Sequence, residues 1–141
     1  MHLDDLEPWA LELLREARVA RLGYEDDDGR PRVLPVTLAL HGGYAWSAID
    51  HKPKRTAEPA RLRHLRSRPE AALTADRWSE DWDELAWVQL LGRVEIVAAS
   101  DAPEALAALV GKYEQYRGRT PAGPLLRLLV ERALCWSARE L

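Results

Sequence analysis

Apolar residues recur first at helical and then at strand spacing, and the changeovers outline the elements. Leu6, Trp9 or Ala10, Leu13 and Ala17 share one helical face. Asp4 or Asp5 ahead of them, with Pro8 tolerated in the first turn, predicts a capped helix. Residues 19–24 (VARLGY) alternate as a strand, and EDDDGRP turns the chain with Asp28-Gly29 at a hairpin position. Residues 32–40 (RVLPVTLAL) return as a second strand. Pro35 within it cannot donate to a ladder, which predicts an edge, a bulge or a place where something docks on the strand. His41-Gly42-Gly43 turns the chain into a third strand over 44–49.

Residues 58–66 predict a short helix with Leu62 and Leu65 inward, stopped by Arg68-Pro69. A fourth strand spans 71–76. The long strand 85–97 (LAWVQLLGRVEIV) carries Gly92 in mid-course, the mark of a bend or bulge where a sheet curls into a barrel. Asp101 caps an expected helix to Lys112, with Pro103 in its first turn and Leu106, Leu109, Val110 and Tyr113 along one side. Residues 125–130 and 134–137 read as closing strands, the first equally open to a helical reading. Six to seven short antiparallel strands with helices at edges and crossovers predict a mainly β fold, a small β-barrel with peripheral helices.

A chain of 141 residues, 47% hydrophobic, can bury one core and is too short for two ordinary domains, so a single domain over 1–141 is expected. The lone Cys135 has no internal disulfide partner, which suits a reducing cytoplasm. The opening MHLDDLEPW has no basic stretch followed by an apolar one, and no apolar run approaches the roughly 20 residues of a spanning helix. The expectation is a soluble, cytoplasmic protein away from the membrane.

Charge changes the picture most between His51 and Arg68. That stretch holds seven Lys or Arg (52, 54, 55, 61, 63, 66, 68) and one acid, Glu58, for a formal +6 on a protein of net charge −3. A cationic island on an acidic chain is a place to hold an anion. Pro53 stiffens the loop between Lys52 and Lys54, and a preset pair of ammonium groups suits a phosphate. The plain alternative is a solvated loop, the fate of most charge runs. Nucleic acid is not expected, because one short patch on an acidic protein lacks the basic balance of a phosphate-tracking surface.

Other chemistry finds little foothold. His2, His41, His51 and His64 lack metal-helix spacing and there is no Cys pair, so no metal site is expected. Asp50, His51 and His64 form no acid–base motif, and no Gly-x-Ser-x-Gly elbow, Rossmann fingerprint or Walker loop is present. Trp78, Trp82 and Trp87 read most simply as core or interface packing, with Trp82 and Trp87 the candidates to line a ring or substrate pocket. Trp9, Trp46 and Trp136 read as structural.

Four stretches, taken together, resemble the split-barrel flavin and deazaflavin oxidoreductases related to pyridoxamine-5′-phosphate oxidase. They are DGRPRVLPVT; WSAIDHKPK with LRHLRSRPEAAL; DRWSEDW with WVQLLGRVEIV; and KYEQYRGRTPAGP ending in CWSA. They cover nearly the whole chain in the family's order, and Asp50-x-Lys52-Pro53-Lys54 and Glu80-Asp81-Trp82 are the more specific. The chain is most similar to the small group that uses coenzyme F420. The resemblance implies a split β-barrel of the FMN-binding-protein type, paired as a homodimer with a cofactor in each groove between subunits. It implies that the second strand, Arg32 to Thr37 and including Pro35 and Val36, lays its backbone along the tricyclic ring. It further implies Ser47, Ala48 and Ile49 beside the ring, Lys52, Lys54 and Arg55 on the phosphate, and a residue near Trp87 reaching the partner's ring.

The implied activity is hydride transfer between reduced F420 and a small conjugated organic substrate. No proton donor stands out, so the catalytic residues stay open. FMN is the alternative cofactor; many FMN-using relatives carry Ser-Arg-Lys after the third strand, where this chain has Lys-Pro-Lys-Arg. A binding or carrier protein for flavin, deazaflavin or haem is the alternative of another class. Arg61, Arg63, Arg66 and Arg68 read as a solvated face or as attraction for the polyglutamate tail of F420.

Overall fold

The computed structural model describes residues 3–49 and 59–140. Among them, seven strands make one antiparallel sheet: β1 (Ala20–Glu25), β2 (Pro31–Val36), β3 (Ala39–His41), β4 (Tyr44–Ala48), β5 (Glu70–Arg77), β6 (Ala86–Val97) and β7 (Leu125–Ser137). Their order across the sheet is β2-β1-β5-β6-β7-β4-β3. The two terminal strands, β2 and β3, are separated in sequence only by Thr37 and Leu38. Three Cα steps reach at most about 11 Å, so the sheet must curl until its edges approach each other. That closure is the small barrel expected from the chain's alternation, in the split form that the resemblance implied.

Strand alternation fills the interior. The cross-strand row Leu34–Leu22–Leu73–Leu90–Ala133 points inward. Leu90 and Val88 are fully buried, and the apolar faces of α1 (Pro8–Glu16) and α2 (Ala60–Ser67) join the same core through Leu13, Leu14, Leu62 and Leu65. A second cluster packs Ala105, Leu109 and Tyr113 of α3 (Pro103–Lys112) and its C-cap against Ala39, Trp46, Ala48 and Leu125. A small pocket of about 20 Å³ lies between Leu22, Val36, Ser47, Leu73 and Leu126.

Several expectations are revised. The strand expected over 32–40 breaks at Thr37-Leu38, because Leu38 turns into the core and β3 pairs with β4 instead of β1. The two closing strands are one, β7, whose register slips opposite Leu91 and Gly92. Gly92 allows this: a Cβ there would meet the Leu129 carbonyl oxygen at 1.8 Å. Neither Asp4 nor Asp5 caps α1; they lie in a 3-10 turn, and Glu7 occupies the N-cap position while accepting from Trp9 Nε1 at 2.9 Å. Asp101 likewise falls in a 3-10 turn ahead of Ala102, the N-cap of α3. A further helical turn, α4 (Glu114–Gly118), follows where no element was expected. No helix among the described residues is long and apolar enough to cross a membrane.

Candidate functional site

The barrel's free edge sets the site. β2 pairs with β1 on one side only, as the end of the sheet, so its other row of backbone N–H and C=O groups has no strand partner among the described residues. Pro35 sits on this terminal strand, one of the three placements its missing donor allowed. Arg32 and Pro35 are exposed, and Val36 and Thr37 are half-buried.

Where β2 gives way to β3, three hydroxyls gather. Thr37 Oγ1 lies 3.0 Å from the Tyr116 phenol and 3.4 Å from Ser47 Oγ, and the Ala48 amide approaches it at 3.5 Å. Thus Thr37 and Ser47, both expected at the site, meet across the split. Ser47 is itself buried, and the side chains of Ala48 and Ile49 are packed into the two cores. Ile49 is the last described residue before the basic loop; Lys52, Lys54 and Arg55 lie outside the described residues.

The next residue, Leu38, is held by its backbone. Its N–H donates to the Tyr113 phenol at 2.9 Å, and its carbonyl accepts from Lys112 Nζ at 2.6 Å. Lys112 also donates to the Leu14 carbonyl at the end of α1, and Tyr113 reaches the Arg18 carbonyl at 3.1 Å. Burial, and then the nearby Arg18 charge, pull the Lys112 pKa down to about 8; burial pushes the Tyr113 phenol up. None of Lys112, Tyr113 or Tyr116 stood out in the sequence as a site residue. The signal was there as Lys-Tyr-x-x-Tyr, two phenols three residues apart just past an amphipathic helix.

The tryptophans lie elsewhere. Trp82, in a 3-10 turn between β5 and β6, is 68% exposed, and Trp87, which opens β6 opposite Trp136, is 37% exposed. The row Pro35–Arg21–Thr74–Gln89 puts β6 three strands from β2, about 14 Å along the sheet at ordinary strand spacing. One row of the outer face, Val33–Gly23–Ala72–Leu91, is apolar, with Val33 70% exposed, and a groove of about 620 Å³ runs over it between charged residues that include Glu25, Arg32, Glu70 and Arg93.

Arg63 of α2 and Arg68 at its C-cap have partners on the β1–β2 hairpin. Arg68 bonds Glu25 at 3.1 Å and the Asp27 carbonyl at 3.4 Å, and Arg63 reaches Asp27 at 3.5 Å, so the acidic β1–β2 hairpin neutralises part of the helix. His64 is buried beneath it, 3.6 Å from Asp27 and against Tyr24, a structural position and not an open acid–base one.

This geometry is similar to that of known proteins. A conserved hypothetical protein of Mycobacterium tuberculosis superposes with a TM-score of 0.75 at 19% identity, over 96% of this chain and 87% of its own. An FAD-binding protein of Mesorhizobium loti matches at 0.67 and 16% identity, over 92% and 94%. A heme-binding protein of Mycobacterium smegmatis matches at 0.68 and 20%, over 94% of this chain but 60% of its own. At these identities the likeness is one of fold. No curated protein sequence matches the chain significantly. The family model for pyridoxamine 5'-phosphate oxidase, however, matches residues 6–136, almost the whole barrel with its edge and its corner. The chain belongs to the pyridoxamine 5'-phosphate oxidase family.

Proposed function

We propose that the protein is an oxidoreductase that binds a phosphate-bearing flavin or deazaflavin along β2, with coenzyme F420 as its cofactor and FMN as the alternative. The observation that carries this reading is the unpartnered edge of β2 ending in the Thr37–Ser47 hydroxyl pair. That edge offers backbone donors and acceptors along which a tricyclic ring would lie, and the Thr37 hydroxyl stands at its end, so the residues present fit the polar edge of the group. When bound, the ring supplies the hydride chemistry. The backbone of residues 32–37 and the Thr37 hydroxyl would bind and orient its polar edge, and Lys52, Lys54 and Arg55 would hold the phosphate with charge-assisted hydrogen bonds. The substrate would be a small, conjugated, electron-poor molecule. FAD binding in the Mesorhizobium relative supports a flavin-type ligand for this barrel.

A homodimer completes the reading. The apolar row of the outer face would be covered by a second copy, whose Trp82 or Trp87 would approach the ring held by the first. Burial of Val33 and Leu91 would contribute the driving force.

The test is a fluorescence titration of the purified protein with F420 and FMN separately. Replacing both Lys52 and Lys54 by Ala should weaken binding of the preferred cofactor about a hundredfold, from the loss of two charge-assisted contacts. Unchanged affinity refutes the phosphate assignment. A binder without turnover is the second reading, favoured by the contacts of Thr37 among the described residues: a hydroxyl, a phenol and a backbone amide. Tight binding with no oxidation of reduced cofactor across a panel of enones and quinones would establish it.

A further inference from the structure

The corner between β2 and β3 is held by two tyrosines with separate tasks. Tyr113 and Lys112 grip the backbone of Leu38, through its N–H at 2.9 Å and its carbonyl at 2.6 Å. Tyr116 instead touches a side chain: its phenol oxygen is 3.0 Å from Thr37 Oγ1. The rings lie 5.6 Å apart, so α4 carries Tyr116 to the corner on the shoulder of the anchored Tyr113.

A threonine hydroxyl has one proton and two lone pairs to distribute. The Ala48 amide, at 3.5 Å, can only donate, and so occupies a lone pair. Of the proton and the remaining lone pair, one is directed at Tyr116 and the other is left for Ser47, at 3.4 Å, or for a ligand. The Tyr116 contact is the shortest of the three, and Ser47 is buried on the barrel side. The phenol therefore decides which way the Thr37 hydroxyl points.

We propose that Tyr116 is a positioning residue of the ring site, fixing the Thr37 hydroxyl so that a single hydrogen-bonding role is presented to a ring laid along β2. The inference rests on the ring-binding reading above. It adds to that site a residue from the far side of the chain, 79 positions away. Loss of the phenol oxygen leaves the hydroxyl only its two longer contacts, to Ser47 and the Ala48 amide, so more of its ordering falls on the ligand.

The experiment uses the full chain as wild type, Y116F, T37V and the double variant, each titrated with FMN and with F420, and each unfolded in urea without ligand. Y116F should weaken binding of whichever ring the wild type takes by about three- to tenfold, the range of one ordered hydrogen bond. It should also move the bound ring's visible absorption maximum toward its value in water, which simple loosening of the fold would not do. On the T37V background the same substitution should add nothing. Without ligand, the losses of urea midpoint for the two single variants should be non-additive, as for groups in direct contact. Wild-type binding with an unaltered Y116F overturns the positioning role alone, and so does an undiminished Y116F effect in the double variant. Additive urea midpoints overturn the contact. A wild type that binds neither ring overturns the ring-site reading and the positioning role with it.

Discussion

Gly92 and Leu129 face each other so closely that a single methyl on the first would lie 1.8 Å from the carbonyl oxygen of the second. The obstruction is backbone, on the neighbouring strand of a closed sheet, and neither side can swing away. Gly92→Ala should destabilise the protein by about 3 kcal/mol or more, the upper range of overpacking. Urea denaturation would measure it, and a midpoint equal to that of the wild type would show that the bulge can shift at no cost.

The Lys112 ammonium gives a pH dependence with a definite sign. Its pKa falls from 10.5 to about 8 in the folded chain, first through burial and second through Arg18. Between those values the unfolded chain keeps a proton that the folded chain has released, so this group's contribution to stability rises with pH across that window and is flat below it. A neutral amine still has two N–H donors for the Leu38 and Leu14 carbonyls, so the clamp survives deprotonation. The unfolding free energy of the wild type relative to Lys112→Met should climb from about pH 8 towards 10.5 and stay level near neutrality. A difference that does not change with pH would show that the lysine is not buried in solution.

Val33, 70% exposed on the terminal strand, can be changed with little effect on a single chain. If the apolar row is covered by a second copy, Val33→Asp places a carboxylate in that contact. Light scattering should then report half the wild-type mass while the thermal transition of the monomer persists. An unchanged mass would place any assembly elsewhere.

Much of the barrel was legible because burial on one face imposes a period of two. Strands β1, β4, β5 and β6 follow their alternating stretches to within a residue or two, and Gly92 marked the bulge. The failures share a cause, which is that pairing partners are not written locally. Thr37-Leu38 reads as strand continuation, and only the switch of partner from β1 to β4 breaks it. Glu131-Arg132 reads as a gap between two strands, although it is the slipped part of one. At the site, Thr37 and Ser47 were expected and do meet. Tyr113 and Tyr116 were missed because their partners lie 75 and 79 residues away, beyond the reach of any spacing rule. The charges of α2 show the same limit: they read as a solvated face or as attraction for an acidic tail, and the sequence did not say that Arg63 and Arg68 face the acids of a hairpin some 40 residues earlier.

The leucine stack beneath the corner is closely packed, with a pocket of about 20 Å³ between Leu22, Leu73, Leu126 and Ser47. On the ring-binding reading, recognition falls to the edge and the corner while the stack carries the fold, with Ser47 shared between them. Changes of side chain along the rim, the basic loop or the outer sheet can retune what the protein accepts without reopening the leucine stack. Conversely, a leucine exchanged inside the stack alters how long the molecule survives heat, not what it recognises. A lineage built on this barrel can try new ligands at its margins while the centre stays as it is.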